Sequence, residues 1–230
     1  MRFGSLFAGI GGFDLGLEAA GMVCAWQVEQ DPYCRVILEA RWPDVPRYGD
    51  VRNVSHPPAV DLIAGGFPCQ DISNAHTNGA RRALDGERSG LWTEFLRIVD
   101  ETRPRWVVVE NVAAPQRWVP DVRAGLAGHG YASVPLELSA GSFGAPHKRP
   151  RVFVVAHADG EGEPLGALHA QVAGLRPVSG RSGPWRLPPP GGFRVADGVP
   201  RGMDRCRVLG NAVVPAVVEW LGRQIASGPS

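Results

Sequence analysis

Val60-Asp61-Leu62-Ile63-Ala64-Gly65-Gly66-Phe67-Pro68-Cys69-Gln70 decides how this chain is read. Leu62, Ile63 and Ala64 are apolar without interruption, as in a short strand buried on both faces of a sheet, and the paired glycines end it. A thiol just beyond the carboxyl end of a parallel strand lies where open α/β sheets hold their ligands. Pro68 stiffens the backbone before the thiol, and the polar stretch from Asp71 to Arg88 is long enough to reach a substrate. Cys69 is therefore a candidate nucleophile rather than core filler.

Outward from that stretch, apolar runs alternate with helical patterns. Phe3 to Phe7 reads as a first strand, followed by the glycine loop Ala8-Gly9-Ile10-Gly11-Gly12 and a helix from Phe13 to Ala20. Met22 to Val28 is a second strand, Pro32 to Arg41 a helix with proline in its first turn, and Gly49-Asp50-Val51 a third short strand or turn. Leu91, Phe95, Ile98 and Val99 repeat at helical spacing within Leu91 to Glu101. Trp106 to Val109 is a strand capped by Glu110-Asn111. Pro120 to Gly128 reads as a short helix, and Tyr131 to Leu138 and Arg151 to Ala156 as strands. Strands alternating with helices predict a doubly wound, mostly parallel sheet. From His157 to Arg205 the chain turns rich in Gly, Pro and Arg, with no helix or strand predicted. A last helix is expected from Ala216 to Ala226. The division that follows is 1–156, an insert at 157–205, and 206–230 returning to the first unit.

The 230 residues are enough for one sizeable domain with a small appendage. Hydrophobic content of 44% and charged content of 20% are those of an ordinary globular protein, and a net charge of +1 announces no nucleic-acid binder. Lys148 is the sole lysine; the other basic residues are arginines, which suit bidentate phosphate and base contacts even if genome composition explains them. Cys24, Cys34, Cys69 and Cys206 form no CxxC pair and no His/Cys cluster at zinc spacing, so no metal is expected. Glycines interrupt the N-terminal apolar stretch and no run has membrane-spanning length, which predicts a reducing, intracellular setting.

The glycine loop joins a strand to a helix, so backbone N–H groups and a close approach are offered to a ligand. It departs from GxGxxG, so a dinucleotide is not specified. Glu29 ends the second strand, where ribose hydroxyls are usually held, and Asp50 is placed to accept from an adenine amino group. Loop and carboxylates together predict an adenosine-containing cofactor. Glu110 follows four apolar residues, so burial should raise its pKa and fit it for proton donation. Arg149 and Arg151 alternate into a strand and should face one side, toward a carbonyl oxygen or Glu110. Each reading competes with a plainer one: a tight turn, an exposed carboxylate, a surface arginine pair. The histidines are scattered, and Trp26, Trp42, Trp92, Trp106, Trp118 and Trp220 fit a core, with Trp185 the exception.

Taken in order, Phe7-Ala8-Gly9-Ile10-Gly11-Gly12, Pro68-Cys69-Gln70, Glu110-Asn111-Val112, Arg149-Pro150-Arg151 and Gly210-Asn211-Ala212-Val213-Val214-Pro215 resemble the DNA (cytosine-5) methyltransferases over 1–156 and 206–226. The resemblance implies a Rossmann-like methyltransferase fold that uses S-adenosylmethionine and releases S-adenosylhomocysteine. By motif match, Phe7, Gly9, Gly11, Glu29, Asp50, Val51, Pro68, Leu91, Asn211 and Val213 would meet the cofactor. Cys69 would be the nucleophile, Glu110 the partner of cytosine N3 and N4, and Arg149 and Arg151 its supports. Gln70, Ser73 and Arg88, with Arg181, Trp185 and Arg186 of the insert, would meet double-stranded DNA. The insert would be a small target-recognition region.

Gln30 stands where the family often has an aromatic residue, and His147 where it usually has glutamine. The short insert suggests a short target, relaxed specificity or a specificity partner. A restriction endonuclease is another candidate partner. The implied setting is the bacterial cytoplasm, nucleoid-associated or phage-encoded, with a monomeric enzyme. A tRNA cytosine-5 methyltransferase and a non-catalytic regulatory relative are the alternatives.

Overall fold

The structure is a computed structural model that describes residues 1–67, 89–112, 114–145, 147–158, 163–175 and 212–227. Seven strands form one sheet in the order β3-β2-β1-β4-β5-β7-β6. The strands are β1 (Arg2–Leu6), β2 (Val23–Val28), β3 (Arg47–Tyr48), β4 (Leu62–Gly65), β5 (Trp106–Val112), β6 (Ala132–Ser139) and β7 (Pro150–His157). The pairs among β1 to β5 are parallel, while β7 runs antiparallel to both β5 and β6. One reversed strand in an otherwise parallel sheet is the mostly parallel, doubly wound architecture predicted above.

Period-two alternation decides which helices cover which face. Leu6, Ile63, Val107, Val109 and Val154 pack with Phe95, Ile98, Trp118 and Leu126, which come from α3 (Ser89–Thr102) and α4 (Pro115–Gly128). Phe3, Leu62, Val108, Phe153 and Val155 pack on the other face, with α1 (Gly12–Ala19) and the C-terminal helix α6 (Pro215–Ser227). Between β2 and β3, α2 (Pro32–Arg41) begins with Asp31, whose carboxylate accepts the N–H groups of Tyr33 and Cys34. Five of the six tryptophans assigned to the core are at most 7% exposed, and Trp220 packs against it half-buried. No helix among the described residues is long and apolar enough to cross a membrane.

Four local readings change. Helix α4 starts at Pro115, which takes the first-turn position assigned to Pro120, and Pro120 lies inside the helix. Strand β5 continues through Glu110 to Val112, because pairing with β7 extends to Val112 opposite Arg151. Arg149 does not alternate into β7; its φ of 39° breaks the extended backbone one residue before that strand begins. Helix α5 (Glu163–Ala173) lies in the stretch read as having no helix, and buries Leu165 and Leu168 with the residues of β6 and β7. Gly166 weakens the helical pattern there.

A buried polar chain fixes the start of α1. Asp14 is fully buried and accepts from the Ser5 hydroxyl at 3.0 Å, the Gln27 amide at 2.8 Å and the Cys24 thiol at 3.5 Å. Arg47 in turn donates to Gln27 at 3.0 Å. Burial pushes the Asp14 carboxyl up, against the pull of these donors. The chain thereby ties β1, β2 and β3 to the helix that follows the glycine loop.

Helix α1 packs on α6 without room for a methyl group. A Cβ on Gly16 would lie 2.5 Å from Val218 Cβ and 2.6 Å from the Pro215 carbonyl oxygen, whereas one on Gly166 would meet nothing within 4 Å. The same substitution should therefore have opposite signs at the two sites. Gly16→Ala should lose about 1–3 kcal/mol through overpacking, while Gly166→Ala should gain roughly 0.5–1 kcal/mol of helix propensity. Urea unfolding of both variants checks this; equal shifts would refute the packing account.

Candidate functional site

The carboxyl ends of β1, β2, β4 and β5 surround a cleft of about 420 Å³. Its first wall is the glycine loop after β1. Phe7, Gly9 and Gly11 all have positive φ, at 53°, 56° and 84°. For phenylalanine that conformation costs on the order of 1–3 kcal/mol and must be held by its surroundings. The Ala8 N–H donates to the Val28 carbonyl at 3.0 Å, the Gly11 N–H donates to Ala8 at 2.9 Å, and the Phe7 ring stacks on Phe95 with centroids 6.5 Å apart.

Glu29 closes the next side at the end of β2 and is 9% exposed. One carboxylate oxygen accepts the Gly9 N–H at 2.7 Å and the other accepts the Asp31 N–H at 2.7 Å. The carboxylate is thus locked between the glycine loop and the start of α2. A carboxylate has about four lone-pair sites, so two hydrogen bonds leave it able to accept hydroxyl donors. Gly49 and Val51 line the adjoining wall. The Asp50 side chain caps its own turn, Val51–Asn53, by accepting the Arg52 N–H at 3.0 Å, and pairs with Arg52 at 3.7 Å. Leu91 and Val213 also line the cleft, and Gly12 packs so closely on Val213 that a Cβ would lie 2.6 Å from its carbonyl oxygen.

Glu110 forms part of the cleft wall and is 8% exposed. It lies on β5 opposite Phe153, and Arg151, two residues earlier on β7, places Nε 3.0 Å from Oε1. Burial nevertheless dominates the attraction of Arg151 and Arg149, and pushes the Glu110 carboxyl up to about 7. Gly66 makes room for it, since a Cβ there would lie 2.8 Å from Oε2. Arg149 donates to the Ala212 carbonyl at 2.7 Å and so ties the start of β7 to the returning C-terminal segment. His147 is exposed on the turn before it.

The structure thus gathers Phe7, Gly9, Glu29, Val51, Leu91, Glu110, Arg151 and Val213 around one cleft. Gly11 is the N-cap of α1, and Asp50 and Arg149 flank the cleft walls. Pro68, Cys69, Gln70, Ser73, Arg88, Arg181, Trp185, Arg186 and Asn211 lie outside the described residues. Sequence reasoning missed Phe13, Cys34, Phe67 and Asn111 as lining residues. Asn111 donates to the Phe67 carbonyl at 3.1 Å and accepts the Val112 N–H at 2.8 Å. It therefore holds the chain leaving β4 two residues before Cys69, a role its place beside Glu110 in a quoted motif could have suggested.

The sequence model of the C-5 cytosine-specific DNA methylase family matches residues 1–173. Type II methyltransferase M2.BsuMI of Bacillus subtilis is 34% identical over 165 residues, 68% of this chain and 42% of that protein. Type II methyltransferase M.AquIA of Picosynechococcus is 37% identical over 182 residues, 68% of this chain and 72% of the relative. This chain therefore spans less than half the length of the Bacillus relative. The crystal structure of the S. pombe Dnmt2 methyltransferase superposes with a TM-score of 0.57 at 20% identity, over 71% of this chain and 52% of that one. That likeness supports the Rossmann-like methyltransferase fold.

The raised Glu110 pKa has a consequence for stability. Its folded value exceeds its ordinary value of 4.5, so the contribution is full below about pH 4.5 and is lost as pH rises through 7. Glu110→Gln should therefore gain on the wild type between pH 5 and pH 8, by about 1–3 kcal/mol. Denaturant unfolding at the two pH values checks this; a gap that stays constant would show that burial of the charge is not costly.

Proposed function

Because the chain belongs to the C-5 cytosine-specific DNA methylase family, with residues 1–173 matching it, we propose that it methylates C5 of cytosine in double-stranded DNA. The observation that carries the reading is Glu110, a buried carboxyl poised near pH 7 and paired with Arg151, beside the glycine loop and Glu29. General acid work at neutral pH calls for a group with that pKa.

The residues fit S-adenosylmethionine. The cleft volume lies within the range of small-molecule sites, Glu29 retains acceptor capacity for ribose hydroxyls, and Val51 and Leu91 supply apolar walls for a purine. When bound, this group supplies an electrophilic methyl on a sulfonium. In the proposed reaction the Cys69 thiolate adds to C6 of the cytosine, which must leave the helix stack to be reached. Glu110 gives its proton to N3 as the ring takes up the electron pair, and Arg151 steadies the carboxyl that remains. C5, now enamine-like, takes the methyl group. Loss of the C5 proton to a base then expels the Cys69 thiolate from C6, and N3 returns its proton to Glu110.

Of the 157–205 read as a target-recognition-like insert, His157 ends β7 and α5 packs on the sheet, so the proposed reader is the part that follows α5, with Arg181, Trp185 and Arg186 contacting DNA alongside Gln70, Ser73 and Arg88. A small reader fits a short target or help from a specificity partner, and Type II relatives suggest a restriction endonuclease alongside. The setting would be the bacterial cytoplasm, nucleoid-associated or phage-encoded, with the chain acting as a monomer.

DNA containing 5-fluorocytosine should trap a covalent adduct that depends on S-adenosylmethionine. Cys69→Ser should abolish it, and Glu110→Gln should slow its formation by roughly 10²–10⁴-fold. Gel-shift under denaturing conditions reads the adduct, and bisulfite sequencing of host DNA after expression reads the product and its context. No adduct on diverse DNA would overturn the reading.

A further inference from the structure

The turn that walls the cleft at Val51 is held from outside by one residue of α3. Arg97 spends its guanidinium on three acceptors: Nε donates to Glu94 at 2.7 Å, Nη1 to Glu101 at 2.6 Å and Nη2 to the Val51 carbonyl at 3.0 Å. Glu101 also reaches the chain beyond that turn, accepting the His56 N–H at 2.8 Å, and His56 has a φ of 46°. One ion-paired cluster thus holds the start of the turn and the chain that follows it, while its own Asp50 closes it internally. Val51 is 3% exposed and lines the cleft beside Gly49. Arg97 touches no cleft surface itself; it reaches the cleft through a backbone carbonyl.

We propose that Arg97 is a positioning residue for the purine end of the cofactor, setting the place of the Val51 wall through its bond to the Val51 carbonyl. The proposal rests on the S-adenosylmethionine reading. Only a planar fork with donors on three nitrogens meets three acceptors arranged this way, so lysine replaces it incompletely. Burial opposes the charge on both members, but the Glu94 and Glu101 carboxylates hold the guanidinium above the ordinary arginine value. The His56 N–H and Arg97 hold the Glu101 carboxyl below the ordinary carboxylate value. The Arg97–Glu101 pair therefore stays charged across the working pH range.

The test measures S-adenosylhomocysteine binding by calorimetry on the full chain, as wild type, Arg97→Met, Arg97→Lys and Glu94→Gln. Arg97→Met should weaken binding about tenfold and Arg97→Lys by less, while Glu94→Gln, which leaves the Val51 bond in place, stays within about twofold of wild type. At saturating S-adenosylmethionine, the rate of adduct formation on 5-fluorocytosine DNA should stay within about twofold, a split that general loss of structure would not give. Amide exchange should quicken over residues 50–56 and not in β1. Arg97→Lys carries the test should Arg97→Met fail to fold. A folded Arg97→Met or Arg97→Lys that binds like wild type overturns the proposal, as does a lower saturated rate with unchanged affinity. A wild type that binds no S-adenosylhomocysteine overturns the cofactor reading itself.

Discussion

Burial of the Glu110 carboxyl against the pull of two arginines is the constraint on which the cleft depends. An exposed glutamate beside Arg151 would stay ionised at every physiological pH, and could only accept hydrogen bonds. Here desolvation outweighs the ion pair, so the group shares its proton with the medium near neutrality. Dryness comes from neighbours that contribute no chemistry: Phe153 opposite on β7, and Gly66 pressed against the carboxyl where any side chain would intrude. The reversed strand β7 matters for the same reason. Running against β5, it brings the start of its own chain segment, with Arg149 and Arg151, to the carboxyl end of its neighbour.

The remaining walls are held at a distance from the cleft. Asp14 pins α1 to the strands beneath it, Asn111 fixes the chain leaving β4, and Arg149 grips the returning segment at Ala212. Below them, the rings of Phe7, Phe95, Trp92, Phe67 and Trp118 follow one another at centroid spacings of 5.3 to 6.5 Å. That row runs beneath the ends of β1, β4 and β5, so the cleft floor is stiff where its rim is polar.

Much of the fold was readable because its signals are local. The apolar runs at Ile63 and Val107 are buried on both faces, and a short run without polar breaks, ended by glycine or a carboxylate, suits a central parallel strand. Pro32 marked a helix start correctly, but Pro120 did not, since a single proline does not say which residue of a helix it occupies. Glu29 and Glu110 were found because strand ends are where carboxylates meet ligands. Asp14 was not: an acid in the first turn of an amphipathic helix looks solvent-facing, and only the sheet brings Ser5 and Gln27 to it. Arg97 was equally hidden, because its acceptor Val51 lies 46 residues away in sequence.

Thirty glycines in 230 residues would ordinarily be taken for looseness. At Gly4, Gly12, Gly16, Gly65 and Gly66 they record density instead, for the space of one methyl group is already filled by Trp26, Val213, Val218, Leu6 or Glu110. Where the occupant is a side chain, as at Gly4 and Gly66, the position can change only together with it. Drift at Gly4 calls for a smaller ring than Trp26, and drift at Gly66 displaces the carboxyl itself. Across descendants of this chain, Gly4 should be inherited with Trp26 and Gly66 with Glu110, while Gly12, Gly16 and Gly65, each facing a backbone carbonyl, should not change at all.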